Sequence, residues 1–201
     1  KDTTISASKV QAGTADNKAD LNIDAGRDLF IASGKNTTQT DVSKTKSGLL
    51  SKKNDKSHNY DETTVASELG ASGNVNLNAD KNVVVSGSKV TAGENIAIEG
   101  DSVSVLGAQE KHDSTSTSKK SGFGVGSGDG FYSIYGSKQK SRSENIVANV
   151  GSELSAGKDV TIKARETDVN IVGSHVEAKN DIALNSVRDV NILPGSETYN
   201  S

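Results

Sequence analysis

Three aspartates recur at equivalent places in the sequence, where carboxylates could do chemistry. Asp159, Asp181 and Asp189 each stand directly before a short apolar triplet. Carboxylates gathered on one outer face can act as general acid and base, or as ligands for calcium. Their regular placement favours turns instead, because Asp hydrogen-bonds its own turn and tolerates left-handed backbone. Glu166 and Asp168 lie between triplets, where a solvated loop accounts for them, so we predict no catalytic residues.

The histidines are too dispersed in sequence to indicate a metal site. His58, His112 and His175 lie far apart and form no H-x-x-x-H pattern. The chain has no cysteine, which excludes disulfides and thiolate ligands. Residues 122–130, "GFGVGSGDG", superficially resemble a phosphate-binding loop, but they lack its G-K-[ST] ending and a following helix. We therefore expect neither a metal nor another cofactor.

One glycine-rich stretch gathers four of the seven aromatic side chains and is a candidate interaction tip. These four are Phe123, Phe131, Tyr132 and Tyr135. They could pack this stretch onto the rest of the protein, or form an exposed tip that contacts a partner molecule or lipid. Lysines and an arginine between residues 119 and 142 could assist at an anionic surface. The net charge of −3 is close to balance, so nucleic acid is not expected as a partner.

The elements that must position these residues are very short strands. Seven apolar triplets follow an Asn or Asp; their outer positions are apolar and the middle one is usually small or polar, which is strand alternation. The segments that hold them are residues 27–31, 73–77, 81–85, 94–98, 158–162, 180–184 and 188–192. Successive triplets lie too close together for helices between them.

Corresponding positions return after about one set of three triplets. The separations are 20 residues from Val83 to Val103, 22 from Val160 to Ile182, and 21 from Val169 to Val190. A period near 21 with three strands per period predicts the coil of a parallel β-helix. Inward apolar residues would fill a narrow core, which suits a chain with 32% hydrophobic and 3% aromatic residues.

Two stretches rich in Ser, Thr and Lys interrupt this period, at about residues 36–66 and 109–148. "SKTKSGLLSKK" in the first matches "STSKKSGFG" in the second, and the second copy is longer. Alternating Ser and Thr around the shared "KSG" favours a two-stranded hairpin projecting from the coils over a disordered segment. We therefore predict one β-helical domain over residues 1–201 with two hairpin excursions.

Bulk features narrow the function classes further. No stretch approaches the run of apolar residues that a membrane-spanning helix needs. The sequence begins at Lys1 without Met or a signal peptide, which suggests an excised or processed piece of a longer protein. Parallel β-helices include polysaccharide-degrading enzymes, so such an enzyme is the alternative to a structural and interaction segment.

Several motifs together resemble a known family. "KKSGFGVG" at residues 119–126, the coil sequences "SAGKDVTIKA" at 155–164 and "GSHVEAKNDIAL" at 173–184, and the Ser/Thr/Lys excursions are similar to filamentous haemagglutinin repeats. Such repeats occur in the exoproteins of bacterial two-partner secretion. The "KSGFG" excursion resembles the second repeat region of contact-dependent growth inhibition exoproteins in particular.

The resemblance implies a right-handed parallel β-helix, exported through an outer-membrane two-partner-secretion transporter to the bacterial cell surface. It implies a structural segment of an adhesin or a toxin carrier, which would aid export, target-cell contact or toxin delivery. The absence of cysteine suits export of an unfolded chain. Expected partners are the transporter, the target-cell outer membrane or a surface receptor, and a second copy of the segment stacked end to end.

Overall fold

The computed structural model describes residues 1–124 and 134–201, with side chains for 1–122 and 137–201. Within these ranges the chain is all-β. The strands form four sheets, and the parallel pairs belong to the first three of them. Among the described residues there is no helix of the length and apolarity that crossing a membrane requires.

The short strands are distributed over three sheets. Sheet 1 contains β1 (Thr3–Ser6), β4 (Leu29–Ala32), β9 (Asn82–Ser86), β12 (Ser102–Leu106), β17 (Val169–Val172) and β20 (Val190–Leu193). Sheet 2 contains β2 (Lys9–Ala12), β7 (Glu68–Ala71), β10 (Lys89–Ala92), β15 (Glu153–Ala156) and β18 (His175–Ala178). Sheet 3 contains β3 (Leu21–Ala25), β8 (Val75–Ala79), β11 (Ile96–Gly100), β16 (Val160–Ala164) and β19 (Ile182–Asn185).

The chain visits the three sheets in a fixed order, sheet 1, then 2, then 3, and repeats that order from β1 to β20. Each strand pairs in parallel with the strand of the next turn of chain, for example β9 with β12 and β12 with β17. Three strands per turn and parallel stacking define a parallel β-helix, and the predicted fold class is confirmed.

The register agrees with the period read from the sequence. Val83 is the direct partner of Val103, Val160 of Ile182, and Val169 of Val190. Constant register keeps the same positions inward in successive coils, because side chains alternate between the two faces of a strand.

The core is a thin column of aliphatic side chains. Val83, Val103 and Val160 are fully buried, and Leu, Ile, Val and Ala make up the rest of the buried apolar set. Ile182 shares their register but is 47% exposed, because β19 is the edge strand of sheet 3. Each coil that stacks on the one before it therefore buries apolar surface, which stabilises the fold by about 25 cal/mol for each Å² removed from water.

Contacts divide the chain into two compact units. The coil unit comprises Lys1–Asn36, Thr63–Glu110 and Ala148–Glu197, and the excursion unit comprises Thr37–Glu62, Lys111–Val147 and Thr198–Ser201. The fourth sheet, here called the excursion sheet, has the strand order β21-β14-β13-β6-β5. Its strands are β5 (Gly34–Ser47), β6 (Ser51–Val65), β13 (Ala108–Gly124), β14 (Ile134–Val150) and β21 (Thr198–Asn200).

Candidate interaction site on the excursion sheet

The aromatic residues predicted to form an interaction tip cannot be placed as a group. Phe131 and Tyr132 lie outside the described residues. Phe123 belongs to β13 and Tyr135 to β14, but their side chains also lie outside the described part of the chain. The interaction tip built from these four residues remains a prediction.

The turn of the first excursion presents two leucines to solvent. Gly48 and Ser51 close the turn with backbone hydrogen bonds of 2.7 and 3.4 Å between their N–H and carbonyl groups. Leu49 is fully exposed, at 102%, and Leu50 is 63% exposed. Sequence reasoning missed both, although they follow the "KSG" motif at the place where the second excursion has Phe123. Because Leu49 and Leu50 are adjacent and exposed, this turn is the candidate contact surface of the excursion unit.

The neighbouring strand comes close to this turn at a glycine. Gly122 of β13 lies opposite Ser51, and a Cβ at Gly122 would be 2.9 Å from the carbonyl oxygen of Leu50. A side chain at Gly122 would therefore push the turn away from β13. In the second excursion, the glycine of the "KSG" motif is therefore required by the close approach of the neighbouring turn.

Lysines of β5, β6 and β13 lie side by side next to the turn. Lys53 of β6 lies directly opposite Lys120 of β13. The turn from Gly48 to Ser51 sets the register of β5 on β6, and two residues further along each strand it places Lys46 opposite Lys53. Like charges therefore meet twice across the sheet, without an intervening carboxylate in that row.

β14 adds a further lysine to this row. Thr117 Oγ1 and Ser141 Oγ lie 3.4 Å apart, and the Asn145 amide of β14 donates a hydrogen bond to Asp113 of β13. Both contacts agree with one antiparallel register of β13 on β14, which places Lys138 opposite Lys120. We define the lysine row as Lys46, Lys53, Lys120 and Lys138.

Acidic groups in the excursion unit form local pairs. Lys53 Nζ lies 2.7 Å from Asp55 Oδ2, and this hydrogen bond, together with one from Ser118, lowers the pKa of Asp55. His58 Nδ1 lies 2.5 Å from Asp41 Oδ1, and that contact lowers the pKa of Asp41. The His58–Asp41 pair joins β6 to β5, whereas the Lys53–Asp55 pair lies within β6, and exposed pairs of this kind contribute little stability.

The three histidines lie apart from one another, each beside a carboxylate. His112 contacts Asp61 across β6 and β13, while His175 Nε2 lies 3.7 Å from Glu177 in the coil unit. In the ranges that the structure describes, no group of three or more His, Cys, Asp and Glu side chains is arranged to hold a metal ion.

The recurrent aspartates serve as corners of the coils. The Asp159 carboxylate accepts a hydrogen bond from the Asp181 backbone N–H at 3.1 Å, and Asp168 accepts one from the Asp189 N–H at 3.1 Å. Each carboxylate thereby satisfies a backbone donor of the next coil at a turn. Asp181 and Asp189 take part through their backbone N–H groups, and Asp168, which we expected in a solvated loop, is a corner acceptor like Asp159.

Buried serines close the base of each excursion inside the coil unit. Ser67 Oγ donates a hydrogen bond of 2.7 Å to the Ala32 carbonyl, which joins the residues where the first excursion leaves and returns. Ser152 Oγ donates a bond of the same length to the Leu106 carbonyl at the second excursion. The exit and return points are therefore adjacent, so a long insertion fits without opening the stack.

Comparison with known proteins gives one matching family model, the Hemagglutinin repeat, at residues 49–133 and 132–201. The tRNA nuclease CdiA of Yersinia mollaretii is 29% identical over 191 residues, 89% of this chain and 6% of that protein. The 16S rRNA endonuclease CdiA of Enterobacter cloacae subsp. cloacae is 42% identical over 62 residues, 31% of this chain and 2% of that protein. No solved structure matches the chain.

Proposed function

Since the chain belongs to the Hemagglutinin repeat family, whose repeats form structural segments of large secreted cell-surface exoproteins, we propose that it is a β-helical segment of a contact-dependent growth inhibition exoprotein. In this role the coils supply a rigid shaft, and the excursions contact the target cell during toxin delivery. The observation that carries the proposal is a difference in burial: the aliphatic residues of the coils form a buried core, whereas Leu49 and Leu50 of an excursion are exposed.

The coils suit a mechanical role. Each coil adds about 4.8 Å of stacked length and buries its own apolar positions against the coil before it. A chain that leaves an outer-membrane transporter can therefore fold one coil at a time, and each new coil opposes backward movement. The partner during export would be the two-partner-secretion transporter.

The last coil also supports end-to-end association of this segment. Ile192 is 67% exposed, continues the inward register of Ile171 and belongs to β20, an edge strand of sheet 1. Another coil stacked on that edge would cover Ile192 and pair the open backbone groups.

The nuclease activities in the names of the relatives describe proteins of which this chain spans between 1% and 6%. They are not assigned to this segment, and the proposed role is structural. The polysaccharide-degrading alternative would need free carboxylates on one coil face, whereas Asp159 and Asp168 serve as corner acceptors. Release of products from pectins or host glycans by the purified protein would revive that alternative.

The proposal is tested in the full exoprotein that carries this segment. Residues 37–62 are replaced by a short glycine linker, which the adjacent exit and return points at Ala32 and Ser67 allow. Surface display is measured with an antibody, and toxin delivery is measured as growth inhibition of target cells. We expect normal display with at least tenfold weaker inhibition. Full inhibition by the displayed variant would refute the role of the excursions in contact.

A matched variant separates folding from contact. Ile162→Asp places a charge in the buried column of the coil unit, so display should fall sharply because the stack cannot close. If Ile162→Asp were displayed as well as the parent, the coils would not aid export in the way proposed.

A further inference from the structure

The lysine row places like charges opposite each other in the excursion sheet, which is unfavourable for strand pairing. Neighbouring strands lie about 4.8 Å apart, so four successive lysines place their charges along about 14 Å. Like charges directly opposite each other destabilise a strand pair. In the described part of the chain, Asp55 is the carboxylate that pairs with the row, through Lys53.

More cations lie on the same face of the sheet. Side chains alternate between faces, so Lys44 lies on the face of Lys46, and Lys140 and Arg142 lie on the face of Lys138. Arg142 is 3.8 Å from Glu144 and 77% exposed. This face therefore presents a field of positive charge in a protein whose net charge is −3.

The exposed leucines stand directly beside this field. Leu49 and Leu50 follow Lys46 by three and four residues, at the end of the β5–β6 hairpin. Aliphatic groups next to lysines match the boundary of an anionic bilayer, where apolar side chains enter the acyl region and lysines meet the phosphates. A nucleic acid would leave Leu49 and Leu50 without a partner, because bases stack on aromatic side chains or on guanidinium planes such as that of Arg142, and not on leucines.

We propose that the lysine row binds the phosphate groups of an anionic lipid surface, with Leu49 and Leu50 inserted beside them. This inference rests on the proposed contact between the excursions and a target cell, and it names the lipid headgroup as the partner. The lysine ammonium is a compact point charge that pairs with phosphate without a fixed geometry. A row of them fits a layer of headgroups better than a single small anion.

Vesicle binding of the purified 201-residue protein tests this inference. The probes are vesicles of phosphatidylcholine with and without phosphatidylglycerol, and binding is measured by co-sedimentation. Each lysine near an anionic surface contributes about fivefold in affinity. We therefore expect the variant with all four row lysines changed to Gln to lose at least a hundredfold in binding to the anionic vesicles.

The matched control removes the same charge from the coil unit. Lys9, Lys89, Lys158 and Lys163 are exposed and are changed to Gln together. This control should keep most of the binding, and Leu49→Ser with Leu50→Ser should lose binding to vesicles while keeping the lysine row. Thermal unfolding should show little change in the row variant, because the loss of repulsion offsets the loss of the exposed Lys53–Asp55 pair.

Each other result overturns the inference. Equal losses in the row variant and the coil control would assign the binding to net charge. Binding of single-stranded DNA as strong as vesicle binding, and insensitive to the leucine changes, would assign the row to another polyanion. No binding of the parent protein to anionic vesicles would exclude the site. A full exoprotein that carries the row variant and still inhibits target cells would remove the lysine row from the contact while leaving the proposed function standing.

Discussion

Tyr199 lies opposite Ile146 across β21 and β14, in the same register in which His112 lies opposite Asp61 across β13 and β6. Tyr199 and His112 each come six residues after the end of a sheet-1 strand, β20 or β12. Ile146 and Asp61 each come seven residues before a sheet-2 strand, β15 or β7. β21 therefore pairs with β14 as β13 pairs with β6, and it occupies the position that the first strand of an excursion holds relative to the coils before it.

If β21 were extended beyond Ser201, the added residues should pair with β14. We would append a copy of residues 115–121 after Ser201, where the register places it opposite residues 137–143 of β14. New backbone hydrogen bonds should slow amide exchange at residues 137–143 by about tenfold or more. The measurement is hydrogen exchange by mass spectrometry.

The control for this extension is a tail of the same length with proline at alternate positions, which removes the donors needed for pairing. That tail should leave exchange at residues 137–143 unchanged. If the copied sequence protected β14 no better than the proline tail, β21 would be an isolated contact rather than the start of a repeat.

The aliphatic column should set the stability of the coil unit. Ile162 is fully buried, whereas Ile192 is 67% exposed. Ile162→Ala should lower the free energy of unfolding by about 2–5 kcal/mol, because it leaves a cavity in a narrow core. Ile192→Ala removes the same atoms and should cost less than about 1 kcal/mol. Denaturant unfolding monitored by circular dichroism compares the two, and equal costs would contradict the inward assignment.

The coils were predictable because the inward apolar positions recur in the sequence at the spacing that sets their register. Val83 and Val103 are 20 residues apart and are direct partners, since parallel stacking repeats the same inward position once per coil. The corner position of Asp159 was predictable for the same reason, but its carboxylate accepts a hydrogen bond from the next coil rather than from its own turn. Local periodicity thus determined the fold class.

The excursion sheet was only partly predictable. Ser/Thr alternation indicated hairpins, but Lys53 and Lys120, which lie opposite each other, are 67 residues apart in the sequence, and no period links them. The exposure of Leu49 and Leu50 was not predictable, because the sequence pattern does not distinguish a leucine exposed at a turn from one that packs against a neighbouring strand. The lysine row required the register of four strands, which single-strand patterns do not contain.

The buried serine hydroxyls should hold the base of each excursion. Ser152 is 1% exposed and bonds the Leu106 carbonyl, so Ser152→Ala should cost about 1–3 kcal/mol and speed amide exchange at Glu110. Ser88 is 2% exposed, but its hydroxyl bonds the carbonyl of Ser86 only two residues away, at 2.9 Å. Ser88→Ala is therefore the control, with no effect on exchange at Glu110. Equal exchange in both variants would contradict a closing role for Ser152.

Asp101 should make the coil unit sensitive to acid. Its pKa is lowered, first by a hydrogen bond from Lys81 at 3.0 Å and then by Arg165 at 3.3 Å. A lowered pKa in the folded state adds stability above the usual value for Asp, about 3.9, and this stability is lost as the pH falls through the folded-state pKa. Asp101→Asn should therefore flatten the fall in unfolding free energy between about pH 5 and pH 2, measured by urea unfolding. Asp16→Asn, at an exposed loop position, should keep the slope of the parent protein, and a parent-like slope in Asp101→Asn would refute the assignment.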